Sequence, residues 1–221
     1  MIDRHRDLPL VLASAAEIDH GVANVVAPLL SKYGFESSAK GRRWIRARPP
    51  IRDVFEIAAL KGAWQVPRWG ISLDFVPHIS GEAVRWHRTS KSAQIDFVFD
   101  PVDFFADWQD GWAITALHGE VGVRRDAARV LPLAVEHALG WFSSFEDGDL
   151  LGRVEDHRHA DRPGRRFGFD NWVQQPLAYA FVLARAGAAD NAMAALDRWI
   201  LTVGVSSGAA ERLRALLKSS T

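Results

Sequence analysis

The chain has 221 residues, 48% hydrophobic and 24% charged, and its 27 Lys plus Arg balance 27 Asp plus Glu. This length supports a full apolar core without cross-links, and the neutral balance provides no overall field for nucleic acid or an anionic membrane. The absence of cysteine excludes disulfides, thiolate chemistry and cysteine-ligated zinc.

At the start, Leu8 to Ala13 follows Arg4 and Arg6 and imitates a short secretory leader. The run is brief, and Asp3 and Asp7 spoil its positive flank, so a cytoplasmic location is expected. No apolar run approaches the roughly 18 residues needed to cross a bilayer. Ser14-Ala15-Ala16-Glu17 is a capping-box pattern, in which serine and glutamate each satisfy a backbone N–H. Behind it Ile18, Val22, Val25, Val26, Leu29, Leu30 and Tyr33 recur at helical spacing, and Gly34 supplies the stop.

The period then changes to two. Arg42 to Arg48 places Trp44, Arg46 and Arg48 on one face and Arg43, Ile45 and Ala47 on the other. After Pro49-Pro50, Ile51 to Leu60 alternates, with Phe55, Ile57 and Ala59 together. Trp69 to Val76 places Ile71, Leu73 and Phe75 together, and Ala93 to Phe99 does the same with Ile95, Phe97 and Phe99. Such runs predict strands with one buried face, and their short links predict antiparallel pairing. Ala83 to His87 is a weaker candidate strand.

Asp103 to Trp112 is acidic and aromatic, and reads as a loop or short helix, with another strand candidate from Trp112 to Leu117. Helical spacing returns from Arg124 to Phe145, where Pro132 either starts the helix or kinks it. Glu146 to Asp170 is polar and glycine-bearing, the pattern of a loop or boundary. Trp172–Arg185, Asn191–Leu201 and Ala209–Leu217 predict a final helical cluster. The expected class is α+β, a single domain over 1–221: an N-terminal helix on an antiparallel meander, then a mainly helical extension from 121 onward.

Leu30, Tyr33, Gly34 and Phe35, followed by Gly41, Arg42, Trp44 and Arg46, and by strands like 54–60 and 69–76, resemble a bacterial family of domains of unknown function. In that family a helix ending in Gly-Phe precedes a basic-aromatic strand. The resemblance spans roughly residues 15–100 and implies a small cytosolic α+β domain, with no activity or catalytic residue to carry over.

Three clusters suggest chemistry. Phe104, Asp107, Trp108 and Trp112, with Asp96, Asp100, Asp103 and Asp110 nearby, combine aromatic anchors with an acidic rim, the makings of a protein-docking surface. The default arrangement for this stretch folds its aromatics inward and its aspartates outward. Arg42, Trp44, Arg46 and Arg48 interleave guanidinium forks with an indole, as an anion or nucleic-acid groove does. The neutral net charge argues against nucleic acid. His157, His159 and Asp161 offer zinc, manganese or iron ligands; the spacing is not HExxH, but on a strand two histidines two apart share a face. Arg162, Arg165 and Arg166 beside Gly164 and Gly168 lack a Walker pattern, and there is no GxSxG elbow. His78 and His87 flank a turn across which they would meet.

The leading expectation is a non-enzymatic binding protein whose partner is another protein, with no cofactor. The alternatives are a hydrolase-like enzyme using His157 and His159 with a metal, and an anion or nucleic-acid binder through Arg42 to Arg48.

Overall fold

A computed structural model of the chain describes residues 7–38, 42–80, 83–86, 93–145, 148–160 and 174–220. Asp161, Arg162, Arg165, Arg166 and His87, named above, lie outside the described residues.

The fold is α+β. Helix α1 (Ala15–Ser31) begins at the expected capping box: Glu17 N–H donates to Ser14 Oγ at 3.3 Å, and Ser14 N–H donates to Glu17 Oε2 at 2.7 Å. The Ser14 backbone N–H, and then the Ser14 side chain, hydrogen-bond the ionised Glu17 carboxyl and hold it below its usual range. Ile18, Val22, Val26 and Leu30 form the buried stripe, whereas Tyr33 lies past the last turn and is half exposed. Gly34 takes φ +79°, the left-handed stop that glycine adopts without strain.

Strands β1 (Glu36–Ser37), β2 (Arg43–Arg48), β3 (Ile51–Leu60) and β4 (Trp64–Leu73) form an antiparallel meander. A hairpin of β5 (Pro77–Ser80) and β6 (Ala83–Trp86) follows. The chain returns as β7 (Phe97–Phe99) beside β4, and β8 (Ile114–Thr115) pairs with the opposite end of β4. The register aligns Trp44 with Phe55, Phe55 with Trp69, and Trp69 with Phe99. One aromatic row therefore crosses four strands on the face that meets the helices.

The next row on that face holds Arg46, Asp53, Ile71 and Phe97. Asp53 is wholly buried. It accepts from Arg46 Nε at 2.7 Å and from Arg48 Nε and Nη2 at 2.8 and 2.6 Å. The expected alternation of β2 is thus correct, but its guanidiniums point inward to a carboxylate.

The expectation of one buried face needs correction. The opposite face is also covered, because residues 93–96 cross it before β7 starts. Ala93 and Ile95 pack there with Ile45, Val54 and Val98 as a separate apolar cluster. The crossing is close: a Cβ on Gly70 would lie 2.2 Å from the Phe97 carbonyl oxygen and 2.5 Å from Ile95 Cγ2. Glu56 on this face is held by Arg43 and Arg68, and Arg43 Nη1 donates to the Ala93 carbonyl at 2.9 Å.

After the short helices α2 (Pro101–Phe104) and α3 (Trp108–Gly111), α4 (Gly119–Ser143) runs unbroken through Pro132. It lies against α1, where a Cβ on Gly21 would sit 2.8 Å from Val123 Cγ1. Buried Asp126 accepts from Thr115 N–H at 2.9 Å, and Arg129 donates to the carbonyls of Asp110, Gly111 and Ala113. Together they pin β8 and the acidic-aromatic stretch to α4.

The polar stretch expected as a loop contains a helix, α5 (Leu150–His159), capped by Asp149. Then come α6 (Gln174–Arg185), α7 (Ala189–Val203) and α8 (Ser207–Lys218). Helix α6 is central to the core. Most of its residues are buried, and Gln174 Nε2 donates to the Pro77 carbonyl at 3.1 Å. No helix among the described residues is long and apolar enough to cross a membrane.

Two substitutions probe this frame. Asp53→Asn strands two guanidiniums, 20% and 22% exposed, without their anion, and is expected to cost about 3 kcal/mol in urea denaturation. Gly70→Ala drives a methyl into the Phe97 carbonyl and is expected to cost about 3 kcal/mol in the same measurement, the upper range for overpacking.

Candidate functional site

Across the helix-facing side, the aromatic row continues as a ladder of stacked rings. Phe55 and Trp69 lie 6.4 Å apart and 2° from parallel, and Trp69 and Phe99 lie 4.8 Å apart at 10°. Phe104 adds the next rung on Phe99, at 4.0 Å and 10°. Cross-strand registry puts the first three rings in line, and Asp100, capping α2 through Val102 N–H at 3.0 Å, brings Phe104 back onto Phe99.

Helix α4 crosses above this ladder. Glu136, His137, Gly140 and Trp141 occupy one face, since residues four apart lie one above another on a helix. They and the rings of Trp69 and Phe99 bound a groove of about 440 Å³. Glu136 and His137 are exposed at its rim, and Trp141 is half buried. A Cβ on Gly140 would meet nothing within 4 Å, so the absent side chain leaves open space there. The His137 ring stands edge-on to Trp112 at 5.2 Å and 83°.

Behind Trp141 sits His157, 6.2 Å from the indole and 6.3 Å from Phe97 between ring centres. Its Nε2 lies 2.9 Å from Gln175 Oε1, which also accepts the Val98 N–H at 3.3 Å. An oxygen already taking one N–H assigns the proton to His157 Nε2.

Asp96 anchors the segment entering β7. It is buried, accepts from Leu73 N–H at 2.6 Å, and has Gln174 and Asp74 beside it. Burial pushes its carboxyl up to about 8, against the opposing pull of the Leu73 and Gln174 hydrogen bonds, and the Asp74 charge adds to the rise.

The residues singled out from the sequence are distributed unevenly around this groove. Phe104 joins the ladder. Trp112 is only 5% exposed and supports the groove from below, with Phe105 stacked on it at 4.8 Å. Trp108 packs against Trp64, and Asp107 is exposed. The expected outward set of aspartates divides: Asp96 and Asp100 are buried, Asp107 and Asp110 exposed.

The basic cluster is occupied internally. Arg42 pairs with Asp19 and donates to Gln65 at 3.0 Å, Arg46 and Arg48 hold Asp53, and Trp44 is 2% exposed, leaving no open face for a base. His157 and His159 lie on a helix, not a strand, so two-residue spacing turns them to opposite sides. Glu155 and Arg158 engage Tyr179 on α6. Among the described residues no group of three or more histidines and carboxylates is placed to hold a metal.

A second cavity of about 550 Å³ lies between the β2–β3 turn, α5 and α6. Its two arginines are committed, Arg48 to Asp53 and Arg185 to the Phe75 ring at 4.8 Å. Asp149 adds the opposite charge.

Sequence reasoning missed the groove as a site. None of Glu136, His137, Gly140 and Trp141 was among its candidate site residues. The available signal was a polar pair, a glycine and an indole on one helical face at 136, 137, 140 and 141.

The chain has no significant match among family models, curated proteins or solved structures.

Asp96 yields a pH prediction. Its folded pKa lies above the unfolded value, so its contribution is full below about pH 4 and lost as pH rises toward 8. The wild type is expected to lose stability across that window, by up to about 1.4 kcal/mol per pH unit from this group. Asp96→Asn, neutral throughout, should flatten the melting temperature between pH 4 and 8.

Proposed function

We propose that this chain is a non-enzymatic binding protein, and that its ligand seats an apolar, planar group in the groove between the aromatic ladder and α4. The observation that carries this reading is the combination of aromatic walls with a helix face left open at Gly140. A volume of about 440 Å³ falls in the range of small-ligand sites, which are mostly apolar with a few polar groups at the edge. Glu136 and His137 supply those polar groups.

The scaffold supports preorganisation. The ladder rings are fixed by strand register, and Trp141 is wedged against Phe142 and Phe145 at 5.7 and 4.6 Å. Side chains locked by packing lose little freedom on binding. The bound group could belong to a free small molecule or to a side chain of a protein partner. In the second case Phe104 and the exposed Asp107 beside it would extend the contact beyond the groove.

Gly140 provides a test that spares the fold. Gly140→Ala is expected to raise stability by about 0.5–1 kcal/mol, as glycine is a poor helix interior residue. Gly140→Leu should fill the groove while retaining the wild-type circular dichroism. Saturation-transfer NMR with the neutral probe indole should show binding to the wild type and its loss, by tenfold or more, in Gly140→Leu. Equal transfer to both proteins would refute the groove as the site.

A further inference from the structure

We infer that the groove selects an arylalkylamine, a flat aromatic ring carrying a cationic amine. This rests on the reading of the groove as a binding site and adds the ligand's chemical class.

The aromatic end follows from how the ladder is built. Phe99 has near-parallel rings against it at 4.8 Å (Trp69) and 4.0 Å (Phe104). Two such rings occupy its two faces, so Phe99 has only its edge left for the groove. An aromatic edge carries the positive end of the ring quadrupole, and its preferred neighbour is the negative face of another ring. A ligand ring lying across the rung is therefore favoured over a second stacked ring. A bare alkylammonium would seek ring faces, and those of Phe99 are already taken.

The charged end follows from the lining. Glu136 is exposed and makes no ion pair with any described residue, and the described residues of the groove lining include no lysine or arginine. On the same face of α4, Arg129 lies about two turns before Glu136 and is committed to Asp126 and to the carbonyls of Asp110, Gly111 and Ala113. Among the described residues, the fixed charge at the groove is thus negative. A cation attached to the seated ring reaches a carboxylate, whereas an anion meets repulsion.

Three probes of matched shape separate ring from charge at pH 7 and low salt: phenethylamine, phenethyl alcohol and phenylacetate, each titrated by calorimetry or saturation-transfer NMR. Phenethylamine is expected to bind about fivefold more tightly than the alcohol, with phenylacetate weakest. Glu136→Gln should bring the amine down to the level of the alcohol and leave the alcohol unchanged, a pattern that general unfolding would not produce. Gly140→Leu should abolish binding of all three. If the alcohol binds as well as the amine, or phenylacetate binds best, and Gly140→Leu still blocks binding, the groove is a site but the cation assignment is wrong. An amine preference that survives Glu136→Gln also overturns the assignment. If no probe, indole included, binds the wild type, the groove reading fails together with the inference.

Discussion

Cross-strand registry of large rings is the constraint on which this molecule depends. Trp44, Phe55, Trp69 and Phe99 come from four strands and meet in one row only if every neighbouring pair is in step. A slip of one residue would turn each ring to the opposite face, where Gly70 and the crossing segment leave no room. Each aromatic pair adds about 0.5–1.5 kcal/mol beyond its buried area, so the row favours one register over its neighbours. It also forms the floor over which α4 passes, and thereby the groove.

Several of this protein's carboxylates are directed inward. Asp53, Glu56 and Asp126 are all buried, and each is met by arginine. Such pairs contribute less to net stability than their Coulomb attraction suggests, because both partners give up water. What they do is punish alternatives: any arrangement that separates the partners leaves a buried ion alone. The arginine-rich strand is therefore best understood as part of the folding code. Against that background, a rim carboxylate with no ion-pair partner among the described residues, as at Glu136, is conspicuous.

Much of the architecture was legible in the sequence because it rests on local rules. The capping box at Ser14, the stop at Gly34 and the alternation in β2, β3 and β4 each follow from a few neighbouring residues. Less legible was anything that depends on residues far apart. Nothing local shows that Arg46 and Arg48 meet Asp53, or that residues 93–96 cover the back of the sheet. The polar composition of residues 150–159 suggests a loop, yet it suits a helix that offers Glu155, His157 and Arg158 to α6. The groove was hidden for the same reason. Its floor comes from the sheet and its roof from a helix some forty to seventy positions later, and only the folded chain brings them together.

One amide has a temporal consequence. Gln175 Oε1 is the acceptor for Val98 N–H, 77 positions earlier in the chain. During synthesis β7 leaves the ribosome well before its acceptor does, by on the order of 4–15 s at ordinary elongation rates. For that interval this margin of the sheet offers an unsatisfied donor to any passing strand. The nascent first half is therefore the aggregation-exposed species, and a chaperone able to shield it would act before the last three helices emerge.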